Sequence, residues 1–212
     1  MDAVLDQLLA DGVIAVLRAR DVKSLAQIAR ALHAGGVHAL EITLTTPGAV
    51  DGIAELARAA DGMLVGAGTV LDAAAARSVA DAGARFVVSP TFEPAVIRVC
   101  RDRNLTCIPG AFTPTEILGA WRGGAPLVKL FPAAAVGPGF VRDLLSPLPF
   151  LRIVPSGGVT LQSAGEWIRA GCAAVSVGGA LLGAPPEEVT TRARAFVTAV
   201  RTARDSADRS SS

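Results

Sequence analysis

The chain has 212 residues, of which 51% are hydrophobic and 18% charged, and a formal net charge of +1. That length is ample for one domain with a large core, and the balance excludes a disordered chain or a polyanion-binding surface. Mean hydropathy is high at +0.47, yet no uninterrupted apolar run approaches the ~20 residues of a membrane span.

Asp2 and Asp6 sit in an amphipathic start, without the pattern of a signal or transit peptide. Residues 1–11 read as a short helix ended by Gly12, and 13–19 as a strand ending near Arg18. Asp21 is read as the cap of a helix reaching Gly35–Gly36. Residues 39–44 form the next strand, with Glu41, Thr43 and Thr45 near its end, and Pro47 opens a helix to about Ala60. Further strands are read at 63–70, 86–90, 105–110, 127–132, 152–158 and 173–179. The helices between them begin near Asp72, Glu93, Pro114, Pro138 and Leu161, and a last one spans Pro186 to about Arg204. The remaining 205–212 read as a polar, disordered tail.

Strand and helix alternate eight times at a period of roughly 20 to 26 residues. Strict alternation calls for an α/β fold with a parallel sheet, and eight units call for a single (β/α)8 TIM barrel preceded by a short helix. An open doubly wound sheet is the alternative, but every strand is short and none looks like a polar edge. No linker divides the chain, so one domain is expected over 1–204. Cys100, Cys107 and Cys172 are odd in number and lack metal-like spacing, which suits reduced thiols in a cytoplasm.

One strand carries an oddity. Lysine occurs only at Lys23 and Lys129, against 18 arginines, and Lys129 lies in the apolar run Leu127 to Pro132. On a strand, Leu127, Lys129 and Phe131 share a face. Arginine cannot lose its proton in a protein, whereas a lysine among apolar neighbours can become a neutral amine nucleophile. A snorkelling stem or a buried ion pair is the plainer alternative.

In a barrel the chemistry sits at the C-terminal ends of the strands. The polar residues there are Arg18, Glu41, Thr43, Thr45, Thr69, Ser89, Lys129 and Ser156. His33 and His38 lie elsewhere, at a helix end and a loop, so no Ser-His-Asp set forms. One carboxylate cannot hold a divalent metal, and Gly66-x-Gly68 falls short of a dinucleotide fingerprint, so neither metal nor cofactor is expected. What remains is an amine and a carboxylate facing one space. A neutral amine converts a ketone into an iminium, an electron sink that permits cleavage of the next carbon–carbon bond out. One carboxylate can take the alkoxide proton and return it to the enamine. Glu41 could instead simply neutralise Lys129 or Arg18. Arg18 and the hydroxyls suit a substrate carboxylate. Gly157–Gly158 and Gly178–Gly179, after the last two strands, either make turns or offer backbone amides to a phosphate. A non-covalent phosphate-binding isomerase or decarboxylase, or a catalytically silent barrel, would fit the same composition.

Glu41-Ile-Thr43, Gly66-Ala-Gly68-Thr69-Val70, Ser89-Pro90, Pro109-Gly110, Lys129-Leu-Phe131-Pro132 and Ser156-Gly157-Gly158-Val159 resemble, in order, the motifs of the 2-keto-3-deoxy-6-phosphogluconate (KDPG) and 4-hydroxy-2-oxoglutarate (KHG) aldolases. The resemblance implies a class I aldolase on a barrel, usually a homotrimer, acting on a small keto acid, with no nucleic-acid or membrane partner. It makes Lys129 the Schiff-base lysine and Glu41 the general acid/base, with Arg18, Thr43, Thr69, Pro90, Phe131 and Ser156 around the keto acid. Thr45 stands where some members carry a substrate-binding arginine, while others place that arginine at the Arg18 position. Sugar stereochemistry and the need for a phosphate stay open, so the galactonate epimer or an unphosphorylated sugar acid are alternative substrates.

Overall fold

The computed structural model describes residues 2–59, 62–183 and 185–210. Helix α1 (Ala3–Asp11) starts at Asp2, whose carboxylate accepts from the Val4 and Leu5 amides, and ends at Gly12 in a left-handed conformation. Then come β1 (Val13–Leu17), α2 (Leu25–Ala34), β2 (Ala39–Thr43), α3 (Ala49–Ala59), β3 (Leu64–Gly68), α4 (Ala73–Asp81), β4 (Phe86–Val88), α5 (Pro94–Asp102), β5 (Thr106–Ile108) and β6 (Gly110–Ala111). The order continues with α6 (Pro114–Arg122), β7 (Val128–Leu130), a 3-10 turn at Ala133–Ala135, α7 (Gly137–Leu145), β8 (Ile153–Pro155), α8 (Leu161–Arg169), β9 (Val175–Val177), α9 (Gly179–Leu182) and α10 (Pro186–Ser210).

Every ladder is parallel. One sheet runs β5-β4-β3-β2-β1-β9 and the other β6-β7-β8. A parallel bridge between Ser156 and Ser176 links the end of β8 to β9. The expected strand at 105–110 is split because Pro109 has no amide to donate, although its carbonyl still accepts from the Lys129 amide at 2.9 Å.

The side chains sort by strand parity. Ile14, Ala39, Phe86, Val88, Ile108, Leu127, Val154 and Ala174 pack into an inner cluster, which Val4 and Leu8 of α1 join. The alternate residues, such as Val128, Leu130, Val175 and Val177, pack outward into a larger cluster with the helices. Helix α1 therefore covers the N-terminal ends of the strands, and Thr106 at the start of β5 donates to the Asp2 carboxylate at 2.7 Å.

Two boundaries depart from the sequence reading. Asp21 does not cap α2; its carboxylate accepts from the Lys23 amide in a local turn, and the helix starts four residues later. Helix α10 continues to Ser210, so 205–210 are helical rather than a disordered tail. The helix buries Ala193, Phe196, Val200 and Ala203 in turn, and the chain beyond offers no Gly or Pro to stop it. The expectations at Met1, Ala60, Ser211 and Ser212 lie outside the described residues. No described helix is long and apolar enough to cross a membrane.

Candidate active site

The inner face changes character along the strands. Its N-terminal half is the apolar cluster, and at the C-terminal ends the same parity brings Glu41, Thr43, Lys129, Ser156 and Ser176 inward. They face a cavity of about 710 Å³. The twelve residues expected to act in catalysis or to bind keto acid and phosphate line it: Lys129, Glu41, Arg18, Thr43, Thr69, Pro90, Phe131, Ser156, Gly157, Gly158, Gly178 and Gly179.

Lys129 is held at the middle of β7 by both neighbours, with Gly110 on β6 and Val154 on β8 in register. Its ammonium nitrogen lies 3.8 Å from Glu41 Oε1 and 5.1 Å from the centre of the Phe131 ring. Lys129 is 7% exposed and Glu41 1%, so the pair is out of solvent. At 3.8 Å the two attract without a hydrogen bond, and Glu41 Oε1 has no hydrogen-bond partner in the protein. Burial pushes the Glu41 carboxyl above the ordinary carboxylate range, outweighing the opposing positive charges of Lys129 and Arg18. This carboxyl is therefore suited to holding a proton as well as accepting one.

Glycine makes room for that carboxylate. A Cβ on Gly68, at the end of β3, would collide with Glu41 Oε1 and stand 2.7 Å from its Cγ and Cδ. Thr69 follows with φ of 59°, a left-handed conformation that β-branched residues rarely adopt, and it lines the cavity. The Phe131–Pro132 peptide after β7 is cis. Gly157 and Gly158 have φ of 85° and 83°, and a Cβ on Gly157 would stand 3.2 Å from the Phe131 ring. Thr160 caps α8 just beyond them, accepting from the Ser163 amide.

Arg18 is exposed at the rim and takes part in none of the salt bridges found among the described residues. The turn behind it is fixed by the Ala19 amide, which donates to Thr46 Oγ1 at 3.1 Å. Two other strand-end hydroxyls are turned elsewhere. Thr45 bonds Thr43 at 2.9 Å, and Ser89 donates to the Thr91 carbonyl at 2.7 Å; neither lines the cavity. Ser176, Val16, Leu17, Val159, Thr160, Ala180, Leu182 and Gly183 line it as well and escaped the sequence reading. Ser176 carried a usable signal, since it has the parity of Gly178 on the same strand. No described group of three or more His, Cys, Asp or Glu residues is arranged to hold a metal ion.

Comparison with known proteins agrees with this geometry. A family model described as KDPG and KHG aldolase matches residues 4–203. The chain is 38% identical over 157 residues to a 2-dehydro-3-deoxy-phosphogluconate aldolase of Treponema pallidum, covering 74% of this chain and 75% of that one. It is 36% identical over 188 residues to a probable 2-dehydro-3-deoxy-6-phosphogalactonate aldolase of Rhizobium meliloti, covering 88% and 89% of the two chains. A KDPG aldolase structure from Legionella pneumophila, with pyruvate captured at low pH as a covalent carbinolamine intermediate, aligns with a TM-score of 0.78 at 28% identity, over 93% of this chain and 96% of that one. With the family model spanning nearly every residue and the motif side chains converging on one cavity, the chain belongs to the KDPG and KHG aldolase family.

Proposed function

We propose that the chain is a class I aldolase that cleaves 2-keto-3-deoxy-6-phosphogluconate to pyruvate and glyceraldehyde 3-phosphate, and 4-hydroxy-2-oxoglutarate to pyruvate and glyoxylate. The observation that carries the reading is the buried amine of Lys129 beside the unpartnered carboxyl oxygen of Glu41, 3.8 Å apart in the cavity. The neutral Lys129 amine attacks the keto carbon, and Glu41 supplies the proton with which the carbinolamine hydroxyl leaves as water. The resulting iminium draws electrons from the bond between the third and fourth carbons. Glu41, now a carboxylate, takes the proton of the fourth-carbon hydroxyl, the bond breaks and the aldehyde departs. The same carboxyl then protonates the enamine carbon, and water releases pyruvate from Lys129.

Around that chemistry, Arg18 and the hydroxyls of Thr43, Thr69 and Ser156 receive the keto-acid carboxylate, and Pro90 and Phe131 enclose its carbon skeleton. The backbone amides of Gly157, Gly158, Gly178 and Gly179 take the distal phosphate, helped by the N-terminus of α8. The scaffold is a closed (β/α)8 barrel in a single domain. Its support is the passage of β5 into β6 across Pro109 and the Ser156–Ser176 bridge between β8 and β9. The assembly is a homotrimer in the cytoplasm. Exposed Phe112, Trp121 and Phe150 give apolar surface to bury, with the Trp121 and Phe150 rings 4.5 Å apart.

Borohydride reduction with pyruvate tests the central step. A pyruvate-derived adduct on Lys129 is expected, and an unmodified mass would refute the covalent mechanism and favour the isomerase or decarboxylase reading. A second substrate, the phosphogalactonate epimer, is favoured by one observation: the similarity to the Rhizobium meliloti relative named for that epimer extends over 88% of this chain. Comparing kcat/KM for the two epimers and their unphosphorylated analogues decides between them.

A further inference from the structure

Among the described residues, three buried side-chain polar atoms have no hydrogen-bond partner in the protein: Asp11 Oδ2, Glu41 Oε1 and Ser176 Oγ. Two of these residues, Glu41 and Ser176, line the same cavity. Glu41 has its role in the proposed mechanism; Ser176 has none.

Burying a hydroxyl without a partner is unfavourable, and nearly all buried hydroxyls find one. The comparison with Ser89 is direct, since that equally buried serine near the end of β4 donates to the Thr91 carbonyl at 2.7 Å. Ser176 is 4% exposed and has no such bond. Its orientation follows from strand parity. Val175 and Val177 pack outward against the helices, Ala174 belongs to the inner apolar cluster, and Ser176 and Gly178 line the cavity. Ser176 therefore stands on the step where the apolar floor gives way to the reaction space.

In the strand order it lies two strands from each reacting group. On one side it bridges Ser156, which follows β8, and β8 pairs with the Lys129 strand. On the other it is in register with Ile14 of β1, and β1 pairs with the Glu41 strand. A hydroxyl both donates and accepts, so at this position it complements an amine that only donates and a carboxyl that exchanges a proton.

On the reading of the site as a class I aldolase, water enters the chemistry twice. The carbinolamine loses its hydroxyl as water, taking a proton from Glu41, and water later adds back to the pyruvate iminium while Glu41 takes the proton. A water confined among protein groups needs two to four polar partners. We infer that Ser176 is a further catalytic residue, whose hydroxyl holds the water that leaves the carbinolamine and returns to the iminium. The role is confined to the water steps, because enamine protonation at carbon needs Glu41 and no bound water.

The test measures the two kinds of step separately in the full chain. The enzyme is loaded with carbon-13 pyruvate, diluted into excess unlabelled pyruvate, and reduced with borohydride at intervals, so that decay of the heavy adduct on Lys129 reports iminium hydrolysis. A parallel run in heavy water counts the deuteriums in each pyruvate released. Ser176→Ala is expected to slow adduct decay about tenfold, the loss of roughly one hydrogen bond at a reacting group, and to release pyruvate with more deuteriums per molecule because each iminium lasts longer. Ser176→Cys keeps the side chain's size but not a good hydrogen bond, and is expected to behave like Ser176→Ala. Adduct decay unchanged in Ser176→Ala overturns the proposal. So does a decay slowed with no change in deuterium count, which reads as general damage to Lys129 or Glu41. Wild-type speed in Ser176→Cys also overturns it, because packing alone would then explain the alanine result. Failure of the wild-type chain to give any adduct is a separate outcome, which refutes the aldolase reading itself and removes the basis of this inference.

Discussion

Gly68→Ala isolates the placement of the general acid from the integrity of the fold. Its added methyl would overlap Glu41 Oε1 and stand 2.7 Å from Cγ and Cδ, whereas carbon contacts settle at about 3.5–4.0 Å. The carboxylate must therefore move by about 1 Å or swing away from Lys129. A displacement of about 1 Å can cost roughly 100-fold in rate, and full loss of acid–base assistance costs about 10²- to 10⁴-fold. Only one side chain has to yield and the Gly68 backbone needs no special φ, so the change in unfolding free energy should stay within about 1 kcal/mol. Gly66→Ala, two residues earlier on the same strand, supplies the contrast. Its methyl would strike the ring of Phe86, which is fully buried in the inner cluster and has nowhere to go. Overpacking of that kind costs about 1–3 kcal/mol. The assays are kcat for keto-acid cleavage and urea unfolding of both variants. Gly68→Ala should lose rate and keep stability, and Gly66→Ala should lose stability with a smaller effect on rate. Wild-type turnover in Gly68→Ala would refute the assignment of Glu41, and equal rate losses in the two variants would show that the strand as a whole, rather than the carboxylate, had been disturbed.

Lys129→Arg should retain the fold by circular dichroism yet give no borohydride adduct and at least a ~10³-fold lower kcat, because a guanidinium cannot supply a neutral amine. Arg18→Ala should raise KM for every keto acid with a lesser effect on kcat, measured by steady-state kinetics, as expected for a group that binds a carboxylate equally in ground and transition states. For Glu41→Gln the effect on stability depends on pH. The folded carboxyl is held above its unfolded value by burial, so the stability it contributes is present at acidic pH and lost as pH rises through the raised value; the variant should gain on wild type in that window in urea titrations, and a pH-independent difference would contradict the burial argument. Arg204→Met should cost about 2–4 kcal/mol in the same unfolding assay with kcat unchanged, because Arg204 donates to the carbonyls of Leu9, Ala10 and Ala173 and so fastens α10 to the face opposite the cavity.

Much of this architecture is legible in the amino-acid sequence because its signals are local. Strand parity around Lys129 needs no tertiary information: Leu127 and Lys129 face inward and Val128 and Leu130 outward, as a period of two requires. The identity of the cavity residues is legible for a similar reason, since parallel strands with short loops bring all their C-terminal ends to one side. What escaped depends on competition between neighbours. Asp21 has the composition of a helix cap, but its carboxylate bonds the Lys23 amide first. Ser89 and Thr45 stand at strand ends like their neighbours, yet each finds a nearer oxygen and turns from the cavity. Ser176 lies one step below the strand end, in a run that reads as ordinary buried strand, and its importance appears only when the bonds of neighbouring hydroxyls are known.

The arrangement also explains why the reacting pair is so close to the apolar floor. A carboxyl in open solvent would ionise fully and hold no proton for the carbinolamine. Burial beside the apolar floor of Val88, Ile108, Leu127 and Val154 raises the energy of the Glu41 carboxylate, and the 3.8 Å gap keeps Lys129 from cancelling that effect through a short, fully bonded salt bridge. Gly68 admits the carboxylate to this position, while the register of β7 between β6 and β8 fixes the amine. The site is thus a place where folding accepts a cost: two polar groups, Glu41 Oε1 and Ser176 Oγ, stay buried without partners in the protein. Where pH has risen through the raised titration range of Glu41, Glu41→Gln should stabilise the chain as it silences it, whereas a carboxylate whose only task was to neutralise Lys129 would show the opposite sign.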